Sequence, residues 1–226
     1  MTVIRFPEPA ERLVIAPGCT RCSSLASSRN RIAWGNGPLN ADLVVVGEAP
    51  AAGDQDAKRW QGGNVTGFAY TSRHSGRRIR DLLADAGFGH ESCFFTNAVK
   101  CHPTDHEAEP REPTATERAT CRRHLRREIA VVEPFAIIPT GRHATASVLA
   151  ADGIELDGFL EQVLEPTKSE AFDAMVVPLL HPSYQDVWLS RIGLDRGEYT
   201  SRIRDTLTKI RSKACNQGGG SDVHES

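Results

Sequence analysis

The fold is decided by a stretch in which a short apolar run leads into a loop of small and acidic residues: Leu43-Val44-Val45-Val46-Gly47-Glu48-Ala49-Pro50-Ala51-Ala52-Gly53-Asp54. A run this short and this rich in β-branched residues is typical of a strand buried on both faces of a parallel sheet. The strand is expected to end at Gly47, because the Ala49-Pro50 dipeptide disfavours its simple continuation. Glu48 therefore lies at the strand end where open α/β sheets bind ligands. Its position alone is equally compatible with a catalytic carboxylate and with a solvated loop acid.

Three further apolar runs predict strands of the same kind, at residues 93–99, 135–141 and 174–180. Helical patterns alternate with these runs, and they fall at residues 75–86, 114–132, 142–151 and 196–211. Strands that alternate with helices predict a parallel sheet that is covered on both faces. The sequence thus predicts an α/β fold, namely a three-layer α/β/α architecture with a central four-stranded parallel sheet.

The composition is that of an ordinary globular protein, since 39% of the 226 residues are hydrophobic, 25% are charged and the net charge is −2. One domain is expected over residues 19–212, with an extended lead-in at residues 1–18 and a disordered Gly/Ser-rich tail at residues 213–226. No apolar run approaches the ~20 residues that a membrane span needs. The first residues also lack the apolar core of a signal peptide. We therefore expect a cytoplasmic monomer without a membrane partner.

Three of the four predicted strands end at a polar side chain, namely Glu48, Asn97 and His181. Because the carboxyl ends of parallel strands meet at one edge of a sheet, we expect these three side chains to gather there. Each of them alone has an ordinary structural explanation, as a solvated acid, a loop-capping amide and a histidine fixed before a proline. Their convergence is a stronger sign of a ligand site than any one of them.

Four of the six cysteines have the distribution of metal ligands rather than of disulfide partners. Cys19 and Cys22 form a C-x-x-C in polar sequence, Cys101 follows the second strand, and Cys121 lies in the next helix. Four thiolates suit either a [4Fe–4S] cluster or a zinc ion, and their spacing does not separate the two. Zinc stays open as the alternative because three histidines lie nearby in the sequence: His102, His106 and His124.

These motifs as a set resemble the uracil-DNA glycosylase superfamily, and in particular its iron–sulfur families 4 and 5. Gly47-Glu48-Ala49-Pro50 and Thr96-Asn97-Ala98-Val99-Lys100-Cys101 look like family 4. The loop of residues 64–76 aligns without gaps to family 5, and Ala51-Ala52 after the proline is also a family 5 feature. His181-Pro182-Ser183 is shared by both families. The whole set is more specific than any single motif in it.

The resemblance covers about residues 19–211 and implies hydrolysis of the N-glycosidic bond between uracil, or another deaminated base, and deoxyribose in DNA. It implies that His181 donates to a uracil carbonyl, that Asn97 pairs with the uracil edge and that Glu48 directs the attacking water. It also implies that the four cysteines hold a [4Fe–4S] cluster. Family 5 normally lacks an acid at position 48 and has an aspartate where this chain has Arg73. Glu48 is therefore expected to be the single water-directing carboxylate.

The resemblance also predicts contacts with the base and with DNA. Tyr70 takes the position of the family's stacking phenylalanine, with Phe68 as the fallback, and its ring is expected to lie on the extruded base. The other residues expected to bind the substrate are Gly47, Ala49, Ala51, Ala52, Asn64 and Ser183. The arginines of residues 73–80 are expected to meet phosphates, and Tyr184 or Trp188 is expected to fill the gap left by the base. The residues expected to contact DNA are Ser75, Arg77, Tyr184 and Gln185.

Two other functions stay open from the sequence. A non-hydrolytic relative traps uracil-DNA covalently through a histidine, but the Arg/His-rich insertion that such a protein needs is not evident here. The second alternative is a protein module that is held together by a metal centre and binds nucleic acid without catalysis. The expected partner is uracil-containing DNA, single- or double-stranded, which implies action at the nucleoid.

Overall fold

The computed structural model describes residues 4–218 and shows one mixed sheet with helices on both faces. The strands are β1 (Arg12–Leu13), β2 (Gly35–Asn36), β3 (Leu43–Gly47), β4 (Cys93–Asn97), β5 (Ala136–Pro139), β6 (Thr167–Ser169) and β7 (Ala174–Val176). The helices are α1 (Ser23–Ser28), α2 (Gly63–Thr66), α3 (Ser75–Asp85), α4 (Ala115–Val132), α5 (Arg142–Leu149), α6 (Phe159–Gln162), α7 (Gln185–Leu189) and α8 (Arg196–Gly218).

The strand order across the sheet is β1-β2-β4-β3-β5-β7-β6. The inner strands β4, β3, β5 and β7 pair in parallel, so the predicted four-stranded parallel core is confirmed. The sheet is wider than predicted, because β1, β2 and β6 add antiparallel pairs at its edges. Each of these three strands is only two or three residues long. Such a strand is too short for a hydrophobic period to be visible in the sequence.

The three-layer architecture follows from the burial of β3, every residue of which is buried. Val44 and Val46 pack in an apolar cluster to which α4 and α5 contribute. Leu43 and Val45 face the opposite way and pack in a cluster with residues of α3 and α8. Burying each of these side chains is worth about 1.5–3 kcal/mol. The continuous apolar run is therefore explained by helices on both faces of the strand, as predicted.

The start of α4 holds the polar segment of residues 100–113 in place. Thr114 Oγ1 accepts a hydrogen bond from Glu117 N at 3.2 Å, and the Glu117 carboxylate accepts one from Thr114 N at 2.8 Å. These two bonds form a capping box. Arg111 donates two more hydrogen bonds to the same carboxylate, at 2.7 and 2.8 Å. Chiefly through this guanidinium, the pKa of Glu117 falls to about 2.

A buried ion pair joins the end of β4 to α4. Lys100 Nζ lies 2.6 Å from Glu128 Oε2, and the two side chains are 1% and 0% exposed. Glu128 also accepts from Gly35 N at 3.0 Å and from Thr96 Oγ1 at 2.6 Å, while Lys100 Nζ donates to Thr96 Oγ1 and to Asn97 O. A buried pair is stable only when such additional hydrogen bonds satisfy both charges. The backbone that follows β4 is thereby fixed.

The last helix is longer than predicted, because α8 continues to Gly218. No glycine or proline occurs between Gly197 and Gly218 to end it earlier. The described helix includes residues 213–218, which belong to the segment predicted to be a disordered tail. Residues 219–226, like residues 1–3, lie outside the described part of the chain. Within residues 4–218, no helix is long and apolar enough to cross a membrane.

Candidate active site

A cavity of about 310 Å³ opens at the carboxyl edge of the parallel strands. Glu48 at the end of β3, Asn97 at the end of β4 and His181 beyond β7 all line it. Its volume lies in the range of small-molecule sites. The structure thus brings the three polar strand ends to one place.

The ends of β3 and β4 are held together by backbone hydrogen bonds. Ala98 N donates to Gly47 O at 2.7 Å, and Val99 N donates to Glu48 O at 2.9 Å. A Cβ on Gly47 would lie 2.5 Å from Asn97 Oδ1 and 2.9 Å from the hydroxyl oxygen of Tyr70. Only glycine therefore allows the amide of Asn97 and the ring of Tyr70 to approach the strand end so closely.

Asn97 presents an unused hydrogen-bond donor to this site. The residue is 3% exposed, and its Nδ2 has no hydrogen-bond partner among residues 4–218. Leaving a buried amide donor unpaired costs about 1–3 kcal/mol. Such a cost is typical of a site that pairs the donor with a ligand.

His181 is held as a neutral donor. Ser183 N donates to His181 Nδ1 at 3.2 Å, so Nδ1 is the unprotonated nitrogen of the neutral ring and Nε2 carries the hydrogen. Burial lowers the pKa of His181, which favours this neutral form. The imidazole can therefore donate from Nε2 without carrying a positive charge.

Glu48 is an acid of the cavity with a partly buried carboxylate and a raised pKa. Its Oε1 is buried and has no hydrogen-bond partner within the described residues. Burial raises the pKa of Glu48, His143 lowers it, Glu112 raises it and Arg118 lowers it, in that order of size. The carboxylate is thus a stronger base than an exposed glutamate and has an oxygen free to accept a proton.

Tyr70 lines the cavity, and its hydroxyl is hydrogen-bonded to Thr140 Oγ1. Phe68, the fallback for this position, instead packs against Phe6 and under Arg12, outside the residues that line the cavity. The structure thus favours Tyr70 as the aromatic surface of the site. The other predicted residues that line the cavity are Gly47, Ala49, Ala51, Ser75 and Ser183.

Two residues predicted to bind the substrate lie elsewhere. Asn64 is buried, and its Oδ1 accepts a hydrogen bond from Asn30 N at 2.8 Å, so its side chain supports the neighbouring loop. Ala52 is exposed and is not among the residues that line the cavity. Neither residue is among those that line the cavity, although both belong to motifs that carry the family resemblance.

Of the residues predicted to contact DNA, some are exposed and one is buried. Arg77 is exposed, and Tyr184 is 61% exposed with its ring centroid 5.5 Å from that of His181. Gln185 is buried, contrary to the prediction of a DNA contact, because α7 turns its side chain inward. Arg80 is also buried: it lies over the ring of Phe95 at 3.7 Å, and burial lowers its pKa to about 10. It is therefore not available to a phosphate.

The sequence did not single out several residues that line the cavity. Some come from the loop before α3, namely Thr71 and Ser72, and others, including Arg111 and Glu112, come from the polar segment of residues 100–113. A second groove of about 700 Å³, the side groove, adjoins the cavity and shares Glu48, Glu112 and His181 with it. Its apolar wall is formed by Phe159, Leu160, Tyr184 and Trp188. The sequence signal for the anchoring of residues 100–113 is Glu117 three residues after Thr114, which is the spacing of a capping box.

The four predicted metal ligands also come together. Cys19, Cys22, Cys101 and Cys121 line one small pocket, and all four are free thiols within the described chain. Two donors point at these sulfur atoms, since Arg29 Nη1 lies 3.2 Å from Cys101 Sγ and Lys100 N lies 3.3 Å from Cys121 Sγ. His124 Nε2 lies 3.4 Å from Cys19 Sγ. Donors around sulfur stabilise thiolates, so the donor set suits a thiolate-bound metal centre.

The sulfur atoms of the four cysteines do not form a compact group in this structure. Among the described residues, no three of these Sγ atoms lie within 4.8 Å of one another. A tetrahedral zinc ion with bonds of about 2.3 Å requires sulfur atoms closer together than that. In a four-iron cluster each thiolate binds a different iron, so the thiolates lie farther apart. Of the three histidines, His106 is 89% exposed and His102 Nδ1 lies 2.9 Å from Pro50 O, so only His124 is close to the thiols.

Comparison with known proteins identifies the family of this chain. The family model for the uracil DNA glycosylase superfamily matches residues 34–207, and the chain belongs to this superfamily. It is 30% identical over 170 residues to a type-4 uracil-DNA glycosylase of Thermotoga maritima, covering 74% of this chain and 77% of that protein. It is 28% identical over 168 residues to a type-4 uracil-DNA glycosylase of Saccharolobus solfataricus, covering 73% and 71%.

A type-5 uracil-DNA glycosylase of Pyrobaculum aerophilum is also similar, with 31% identity over 169 residues that cover 62% of this chain and 69% of that protein. Similarity to both types matches the mixture of motifs in the sequence. The resemblance stated from the motifs is therefore confirmed.

Proposed function

We propose that this protein is a DNA repair enzyme that hydrolyses the N-glycosidic bond of uracil in DNA and leaves an abasic site. The observation that carries the proposal is the meeting of Glu48, Asn97 and His181 in one cavity, each with a polar atom free to act on a ligand. The names of the similar proteins support the same activity. Bond cleavage of this kind requires an extruded base, a stabilised leaving group and a placed water.

Recognition of uracil is assigned to Asn97 and Tyr70. The free Nδ2 of Asn97 donates to the O4 carbonyl of uracil, and its Oδ1 accepts from N3–H. Cytosine presents the opposite pattern, an amino donor and an unprotonated ring nitrogen, and leaves the buried amide unpaired. The ring of Tyr70 provides the flat surface on which the base stacks.

Departure of the base is assigned to His181. Negative charge grows on the uracil oxygens as the glycosidic bond breaks, and a hydrogen bond from Nε2 stabilises it where it develops. The hydrogen bond from Ser183 N to Nδ1 leaves the hydrogen of the neutral ring on Nε2 before the reaction begins. The imidazole therefore does not have to reorganise as the bond breaks.

Attack by water is assigned to Glu48. The free Oε1 holds a water against the far face of the sugar and accepts its proton as the new C–O bond forms. Because burial raises the pKa of Glu48, the rate should fall as the pH drops through a value above that of an exposed glutamate. Below that pH the carboxyl is protonated and cannot accept the proton.

Glu48→Gln tests this role, because glutamine keeps the size of the side chain but cannot act as a base. We expect single-turnover excision of uracil to slow about 100-fold or more, while the dissociation constant for uracil-DNA, measured by fluorescence anisotropy, stays unchanged. The matched control is Asp56→Asn, the same change at an exposed acid of the following loop. Excision by Glu48→Gln at the wild-type rate would show that the role is wrongly assigned.

We further propose that Cys19, Cys22, Cys101 and Cys121 hold a [4Fe–4S] cluster rather than zinc. The thiol-lined pocket, the donors aimed at sulfur and the wide spacing of the sulfur atoms support this choice. When bound, the cluster supplies iron–thiolate bonds that join the loop before α1 to the end of β4 and to α4. Its role here is structural, because these segments share only a small apolar cluster of their own.

Cys101→Ser should remove one ligand and abolish stoichiometric iron and the visible iron–sulfur absorbance of the anaerobically purified protein. Cys93→Ala is the matched control, because Cys93 is a buried thiol of β4 that bonds to Phe88 O, away from the pocket. Iron and absorbance should be retained in that variant. Stoichiometric zinc without iron in the wild-type protein would contradict the cluster.

The partner is uracil-containing DNA, for which exposed Arg77 and Tyr184 and the half-buried Ser75 offer contacts beside the cavity. We propose that the protein acts on it as a monomer at the nucleoid. Incubation with single- and double-stranded oligonucleotides that carry uracil, hypoxanthine or xanthine tests the activity and its range. An adduct that survives hot detergent would indicate covalent trapping, and equal binding of uracil-free DNA without abasic product would indicate a non-catalytic module.

A further inference from the structure

Two polar side chains with no assigned role lie next to Glu48. Glu112 belongs to the polar segment of residues 100–113, and His143 belongs to the first turn of α5. His143 Nε2 lies 2.9 Å from Glu112 Oε1. One ligand atom of each of these residues and one carboxylate oxygen of Glu48 all lie within 4.8 Å of one another.

Both members of this pair are fixed by their backbones. Arg111 Nη1 donates to Glu112 O at 2.9 Å, and Nη1 and Nη2 both donate to the carboxylate of Glu117 at the start of α4. Gly141, which precedes α5, donates its N–H to Leu179 O at 2.8 Å in the segment that leads to His181. The pair therefore links two anchored segments across Glu48. It stands where the cavity meets the side groove, since Glu112 lines both.

The charges around Glu48 have opposing effects. Burial raises the pKa of its carboxyl, and His143 provides the largest opposing effect. Glu112 raises the pKa and Arg118, on α4, lowers it. The other charged or titratable groups that line the cavity are Tyr70, His102, Arg111 and His181. Those that line the side groove are Arg142, Glu161 and Tyr184. Without a cation next to it, a carboxyl so buried would be protonated at a higher pH and would lose its function as a base sooner.

We propose that His143, held by Glu112, is a positioning residue that keeps Glu48 ionised and aimed into the cavity. This inference rests on the proposed function, because it assigns a partner to the water-directing carboxylate. His143 contacts neither the base nor the sugar in this scheme. It acts through Glu48, and its effect should therefore depend on pH.

The test compares pH–rate profiles of single-turnover uracil excision for the wild type, His143→Gln and His143→Lys. In His143→Gln the acidic limb should move up by about one pH unit, the size expected for a charge this close at a partly solvated site. The plateau at high pH should change little. His143→Lys restores a cation and should bring the limb back towards its wild-type position. Arg142→Gln, which removes a charge from the same turn of α5, is the matched control and should leave the limb in place.

Three results would overturn the inference. The limb of His143→Gln could coincide with that of the wild type, the rate could fall by the same factor at every pH, or lysine could fail to restore the limb. A carbon NMR titration of the Glu48 carboxyl in the same variants gives the same comparison without catalysis. If the wild type cleaves no uracil-DNA, the proposed function fails, whereas an active wild type with an unmoved limb in His143→Gln refutes only the inference.

Discussion

Replacing Asn97 with aspartate is expected to slow uracil excision by about 1,000-fold, which corresponds to about 4 kcal/mol of transition-state stabilisation. The change replaces the Nδ2 donor, which is buried and unpaired in the free protein, with an oxygen. That oxygen faces the O4 carbonyl of uracil and repels it, so one hydrogen bond is lost and one like-charge contact is gained. Discrimination against cytosine should fall as well, because its amino group can donate to the new carboxylate.

Single-turnover excision of uracil and of cytosine from the same oligonucleotide measures both effects. Asn30→Asp is the matched control, since it makes the same chemical change at an exposed residue and should keep the wild-type rate. Thermal unfolding of each variant shows whether the fold has survived. If Asn97→Asp retains both the rate and the base preference, Asn97 does not recognise the base.

Lys100→Met should be the most destabilising single substitution, with a loss of about 3–5 kcal/mol in the free energy of unfolding. Methionine has a similar length but leaves the carboxylate of Glu128, which is 0% exposed, without its cation. Thr96 Oγ1 and Asn97 O lose a donor in the same step. The mechanism of the loss is an uncompensated buried charge.

Urea denaturation under anaerobic conditions measures this loss. Lys168→Met is the matched control, because Lys168 pairs with Asp173 on the surface and such a pair is worth about 0–1 kcal/mol. Equal stability of Lys100→Met and the wild type would show that the pair of Lys100 and Glu128 does not stabilise the fold.

The sequence predicted the parts of this fold that have a strong local signal. The apolar runs at β3, β4, β5 and β7 were long enough to reveal buried parallel strands, and their ends located Glu48, Asn97 and His181. The edge strands β1, β2 and β6 carry no such signal, because they are too short. The sheet was therefore predicted in its core and missed at its edges.

Apart from the residues that the family resemblance supplied, the residues of the site could be predicted only at the ends of strands. Glu112 and His143 lie on a polar segment and on the first turn of a helix, where acids and histidines are ordinarily solvated, so nothing in the sequence marks them. Arg80 shows the opposite error: its place in a basic cluster indicated a surface residue. Its guanidinium instead packs on Phe95 and donates to Asn36 Oδ1, which only the tertiary structure reveals.

The segment that follows β4 has a consequence for how the chain tolerates change. Residues 97–101 contain the amide assigned to base recognition, the buried cation Lys100 and the thiol Cys101. The amide lines the cavity, Lys100 pairs with Glu128 and Cys101 lines the thiol pocket. One inserted or deleted residue here would shift every later side chain by one position, so no single rearrangement could satisfy all three. Insertions elsewhere, in the exposed loop of residues 153–155 for example, change no such spacing. Length variation among sequences of this type should therefore be absent from residues 97–101 and frequent in that loop.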